Sequence, residues 1–179
     1  MGFTVAISGA SGKTGFRIAE EVERRGDQAR LLLRAQSELP QSLQGLDQRR
    51  LDLGDASALD AALQGVDALV IATPPEPRFA LAQAAIAAGK HLLLEKPVAL
   101  ETSQIEALQR QALAAGVCVA VDFEYRAVPL FMQAARLLQA GAIGTPWLVK
   151  YDWLMSSRAN AQRPWSWYSD AAQGGGVIG

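Results

Sequence analysis

The stretch SGASGKTG, residues 8–15, decides how the first part of the chain is read, because its glycines and its GKT tripeptide suit two different phosphate-binding turns. A P-loop requires a glycine five residues before the Gly12 of that tripeptide. Ile7 stands there, so the nucleoside triphosphate reading fails on spacing. Gly9, Gly12 and Gly15 instead form GxxGxxG, a looser relative of the GxGxxG turn that cradles a dinucleotide pyrophosphate. Alone, that pattern is weak, and its flanks supply the rest. FTVAIS (3–8) is an apolar run of strand length, and KTGFRIAEEVERRG (13–26) carries Phe16, Ala19 and Val22 on one helical face.

A strand, a glycine turn and a helix in that order are the context a dinucleotide turn needs. Glycines let the backbone approach the pyrophosphate, and the unsatisfied amides of the helix start bind its charge. Gly9, Ser11, Gly12, Lys13, Thr14 and Gly15 are therefore the candidate cofactor-binding residues, with Thr14 donating to a phosphate and Lys13 either accessory or solvated. A tight structural turn that holds no ligand is the alternative. Gly26 caps the helix, and QARLLLR (28–34) follows as the second strand.

Beyond it the same rhythm continues. A short strand is expected at RRLDL (49–53), a helix over 56–64, a strand at DALVIA (67–72) and an alanine-rich helix over 77–88. Then come the apolar run KHLLLEKP (90–97), a helix over 101–115, a strand at VCVAVDF (117–123) and a helix over 128–140. Strands apolar on both faces and separated by helices read as a parallel sheet covered on each side, a doubly wound α/β fold of Rossmann type. After Gly141 the pattern changes: TPWLVKYDWLM (145–155) reads as a longer alternating strand, and SSRANAQRPWSWYSDAAQGGG (156–176) as a polar loop. The expected division is a dinucleotide-binding domain over 1–143 and, over 144–179, the incomplete start of an α+β substrate domain. A chain stopping at Gly179, directly after a triple glycine, is read as a fragment.

Composition narrows the partners. Half of the 179 residues are hydrophobic, enough for one packed domain and a piece of another. Seventeen lysines and arginines against 18 acids, scattered along the chain, give no footprint for nucleic acid. No apolar run reaches the ~20 residues of a membrane span, and no leader pattern opens the chain, so a cytoplasmic location is expected. The single cysteine, Cys118, lies in an apolar run and is read as core packing, and no metal site is expected.

The residue after the second strand of such folds discriminates between cofactors: a carboxylate accepts from the adenosine ribose, whereas an arginine pairs with a 2′-phosphate. Here it is Arg34, which favours NADP, with NAD the alternative and an inconsequential surface arginine the bland one. Asp52 and Leu53, after the third strand, are candidates to flank the adenine. Thr73 and Pro74, after the fourth, face the point where the strand order reverses. Each of these could also be a plain strand terminus.

Two resemblances overlie these readings. GASGKTG (9–15), LLLR (31–34) and LDLGDASALDAALQGVDALV (51–70) make residues 1–72 resemble the atypical short-chain dehydrogenases of the NmrA-like kind. TPP (73–75), AGKHLLLEKP (88–97), DFEYRAVP (122–129), GAIGTPW (141–147) and WSWYSDAAQGGG (165–176) resemble the Gfo/Idh/MocA oxidoreductases, and more specifically, because the motifs recur in order at that family's spacing. Both families imply the strand order 3-2-1-4-5.

The second resemblance implies hydride transfer between a nicotinamide cofactor and a sugar-like or polyol small molecule. It carries Lys96 of the EKP tripeptide to the nicotinamide as catalytic residue, with Glu95 and Pro97 beside it and a cis Lys96–Pro97 bond. Arg126 and Trp165 border the substrate side, and the family's catalytic histidine falls beyond Gly179. His91, the sole histidine, matches a routine position, and Arg78 stands where the family often has histidine. Self-association through the sheet of the second domain is a further expectation. The first resemblance implies chemistry through a Tyr-x-x-x-Lys pair, which this sequence lacks. A non-catalytic NADP-binding regulator is therefore the second reading.

Overall fold

A computed structural model describes residues 2–152 and 170. Six parallel strands form one sheet in the order β3-β2-β1-β4-β5-β6. They are β1 (Thr4–Ser8), β2 (Gln28–Leu33), β3 (Asp47–Arg50), β4 (Ala68–Ile71), β5 (His91–Glu95) and β6 (Val119–Asp122). The helices between and after them are α1 (Lys13–Arg24), α2 (Ala56–Leu63), α3 (Arg78–Ala87), α4 (Thr102–Ala115) and α5 (Pro129–Gln139). This is the doubly wound parallel fold expected from the sequence.

The alternation of buried residues along each strand produces two cores. Ala6, Leu32, Leu69, Ile71, Leu92 and Leu94 face one side, where Leu59 and Leu63 of α2, Leu81 and Ile86 of α3 and Leu108 of α4 cover them. Ile7, Leu31, Leu33 and Val70 face the other, against Ala19 of α1 and Leu43. Each fully buried leucine or isoleucine contributes about 1.5–3 kcal/mol over exposure. Phe16 and Val22 of α1 lie half-buried on the second core, as their spacing requires. The helix ends where Gly26, at φ 84°, turns the chain so that Asp27 N–H donates to Val22 O (3.2 Å) and Gly26 N–H to Glu23 O (3.0 Å).

Three expectations are corrected. The third strand covers Asp47–Arg50 rather than 49–53. Leu51 N–H still donates to Leu33 O, but Leu51 and Leu53 turn off the ladder and pack on the first core, which draws the chain toward α2. No strand forms over 145–152: a strand needs a ladder partner, and no described segment pairs with this one. Residues 153–155 of that expected strand, and the 156–176 loop apart from Asp170, lie outside the described residues. Cys118 is exposed rather than packed in the core. It precedes the edge strand β6, and α5, which buries no residue, does not cover that end of the sheet.

Candidate functional site

All six strands run parallel, so the residues that follow them gather at one edge of the sheet. Gly9 to Gly15 follow β1, Arg34 follows β2, Asp52 and Leu53 follow β3, and Thr73 and Pro74 follow β4. Glu95 closes β5, Lys96 and Pro97 follow it, and Arg126 lies in a short 3-10 turn, Glu124–Ala127, after β6. Strand order reverses between β1 and β4, where such sheets open a crevice for ligands. The turn after β1 and the loop after β4 border that crevice directly. Trp165 lies outside the described residues.

The glycine turn is built by close approach. Gly9 has φ 76°, and a Cβ there would stand 2.7 Å from Ala72 O, so the β1 turn presses against the end of β4. Gly12 N–H donates to Gly9 O at 2.9 Å, and Gly12 is the N-terminal cap of α1 with ordinary extended dihedrals (φ −89°, ψ 164°). Glycine at 12 therefore supplies space, not a special backbone conformation. The first amides of α1 have no partner within the helix and are oriented for an anion.

A cleft of about 440 Å³ opens beside this turn, lined by Ser11, Arg34, Ala35, Gln36 and Ser37. Its outer wall is fastened by Arg50 at the end of β3, whose Nη1 donates to the carbonyls of Arg34 (3.2 Å), Ala35 (2.9 Å) and Ser37 (3.0 Å). Sequence reading missed Arg50 because its partners are backbone atoms in a loop. Arg34 itself is exposed at the cleft. Asp52 accepts from Gly54 N–H (2.9 Å) in a local turn, while Leu53 packs half-buried on the core.

At the other end, Lys96 is exposed and its bond to Pro97 is cis. Two buried side-chain oxygens here, Thr73 Oγ1 and Glu95 Oε2, have no hydrogen-bond partner within the protein. Such orphans are rare in a folded interior and suit a polar ligand at this edge. Burial pushes the Glu95 carboxyl above its ordinary range, with Lys96 and Arg78 opposing and Asp122 reinforcing the shift.

Arg78, at the first position of α3, is 2% exposed and donates to the carbonyls of Thr73 and Pro97. A signal was legible: a cation at a helix N-terminus opposes the helix dipole, so its charge must be used elsewhere. His91 lies at the opposite edge, at the start of β5, where its Nδ1 accepts from Cys118 N–H at 3.0 Å.

Comparison with known proteins places this geometry. The family described as "Oxidoreductase family, NAD-binding Rossmann fold" (Gfo/Idh/MocA) matches residues 3–123, without a break at residue 72. The NmrA-like resemblance of the first 72 residues finds no support in these comparisons. An uncharacterized oxidoreductase of Synechocystis sp. is 45% identical over 114 residues, covering 64% of this chain and 31% of that protein. Inositol 2-dehydrogenase 1 of Saccharopolyspora erythraea is 38% identical over 86 residues, covering 48% and 26%. The crystal structure of an NAD binding oxidoreductase from Klebsiella pneumoniae superposes with a TM-score of 0.70 at 23% identity, over 98% of this chain and 48% of that one. The matches span about a quarter to a half of these longer proteins. Among the described residues, no helix is long and apolar enough to cross a membrane.

Proposed function

Because the chain belongs to the Gfo/Idh/MocA oxidoreductase family, with its NAD-binding Rossmann fold over residues 3–123, we propose that it is the cofactor domain of a dehydrogenase acting on a sugar-like or polyol hydroxyl. The dinucleotide lies along the carboxyl edge of the sheet, its pyrophosphate on the turn Gly9 to Gly15. When bound, it supplies the hydride acceptor or donor. The observation that carries the reading is the pair of buried oxygens without partners, Thr73 Oγ1 after β4 and Glu95 Oε2 at the end of β5, on the β4 side of the point where the strand order reverses. A ligand with hydroxyl and amide groups satisfies both.

In this reading Arg34 faces the adenosine 2′-phosphate and makes NADP the preferred cofactor, with Asp52 and Leu53 bordering the adenine. Thr73 and Pro74 line the nicotinamide side. Lys96 is the catalytic residue: its ammonium donates to the substrate hydroxyl or the cofactor ribose and stabilises charge that develops as the hydride moves. Arg126 and Trp165 border the substrate. The cofactor domain ends near residue 143, and the residues after it begin the part that closes over the substrate. The relatives named as sugar and polyol dehydrogenases, inositol 2-dehydrogenase 1 among them, support this substrate class.

A regulator that binds cofactor without turnover is the second reading. It rests on the same orphaned oxygens, which call for a bound ligand but not for turnover. The two part on Lys96→Ala in the whole gene product. Cofactor oxidation or reduction with a panel of polyols and sugars, lost by ~10²-fold or more in the variant, fits the dehydrogenase. No turnover with any of them, alongside intact cofactor binding, supports the regulator.

A further inference from the structure

Arg78 is the most deeply buried charged residue among those described, and its position is not explained by packing. A guanidinium stays charged at any accessible pH, and burying it is costly unless its N–H groups are used. Here two of its nitrogens reach two different loops: Nη2 donates to Thr73 O, after β4, and Nη1 to Pro97 O, after β5. The same charge acts on Glu95, the last residue of β5. Thr73 and Lys96 sit on opposite sides of that bridge.

We propose that Arg78 is a positioning residue that joins the Thr73 loop to the cis turn carrying Lys96, so that both walls of the nicotinamide end hold one geometry. This rests on the proposed cofactor placement. The planar fork holds two donor atoms at a fixed spacing, one for each carbonyl, whereas a lysine ammonium would have to reach both from a single atom. Lysine keeps the charge and loses the fork, and methionine loses both. Neither change lies in the glycine turn or the 34–37 loop, and the end of β4 that the turn presses on is held by its own ladder to β1, through Ala72 N–H to Ser8 O, so the adenosine half of the ligand should be indifferent to it.

The experiment compares the wild-type chain with Arg78→Lys and Arg78→Met. One arm measures affinity for NADH and for ADP, which occupies the glycine turn but not the nicotinamide end. The other measures acylation of Lys96 relative to Lys90, at the opposite end of β5, by peptide mass spectrometry. A positioning role weakens NADH by about tenfold in both variants, the equivalent of one good contact, and leaves ADP unchanged. In Arg78→Met it also changes the acylation of Lys96 relative to Lys90 by about threefold or more, because the turn that carries Lys96 loses its tie to the Thr73 loop.

Parallel losses of NADH and ADP, or no change in either, overturn the proposal and leave Arg78 a stabilising residue only. If Arg78→Met does not fold, Arg78→Lys decides by the NADH-to-ADP comparison. Should the wild-type chain bind neither nucleotide, the cofactor placement fails. The Lys96-to-Lys90 ratio then decides the bridge alone, an unchanged ratio overturning it.

Discussion

A Cβ placed on Gly15 would stand 2.5 Å from the carbonyl oxygen of Gly9, while one on Gly12 would stand 3.2 Å from the same atom. The two glycines of one motif therefore have different duties. Gly15, buried in α1, lets the helix lie against the turn, and Gly12 keeps the mouth of the turn open. Gly15→Val should damage the fold, with a large fall in Tm. Gly12→Val, in a backbone conformation any residue accepts, should keep Tm within a few degrees and abolish nucleotide binding. Thermal melts and NADH titrations of both variants separate the roles; equal losses of Tm would show that Gly12 is structural too.

Arg34 faces the cleft beside Ser11 while Arg50 fastens the loop behind it. Arg34→Ala should weaken NADPH by about tenfold, the scale of one charge-assisted contact to phosphate, and leave NADH within about twofold. Isothermal titration with both nucleotides measures the ratio. An unchanged ratio would make Arg34 a surface residue.

Glu95 gives a pH signature. Burial raises its folded-state pKa above the ordinary 4.5, so the folded protein holds a proton that the unfolded chain has released. Its contribution to stability is then greatest below the ordinary value and is lost as pH rises through the raised one. Glu95→Gln should flatten that decline and raise Tm at neutral pH relative to wild type. Melting curves at intervals between acid and neutral pH test it, and a parallel wild-type and mutant profile would contradict it.

Leu94 is 0% exposed in β5 and paired with Ile71 of β4. Leu94→Ala should cost about 2–5 kcal/mol by chemical denaturation. A loss below about 1 kcal/mol would mean that β4 and β5 are not packed as one core.

Most of this fold is legible in the chain because parallel strands buried on both faces write themselves as apolar runs, and helices as periodic segments between them. LLL at 31–33 and LLL at 92–94 need no context to be read. The edge is harder. Asp47–Arg50 is a strand of polar residues, held by its ladder to β2 rather than by its own apolarity, so the neighbouring RRLDL run misplaces it. Cys118 has apolar neighbours in sequence, but its burial depends on a cover that α5 does not provide.

The site is legible where its residues follow strands, since a parallel sheet sends every strand end to one edge. Arg50 was not, because it acts on backbone carbonyls of a loop over a dozen residues away, and of Arg78 only the cation at a helix start was legible, not the two loop carbonyls it reaches. The orphaned Thr73 and Glu95 oxygens depend on how β4 and β5 lie beside each other, which no local pattern encodes.

The most direct test is equilibrium titration of the purified chain with NADPH and with NADH, following nucleotide fluorescence. Saturable binding of both, tighter for NADPH and lost in Gly12→Val, is the expected result. Binding of neither, or binding that Gly12→Val leaves intact, would contradict a cofactor site on this turn.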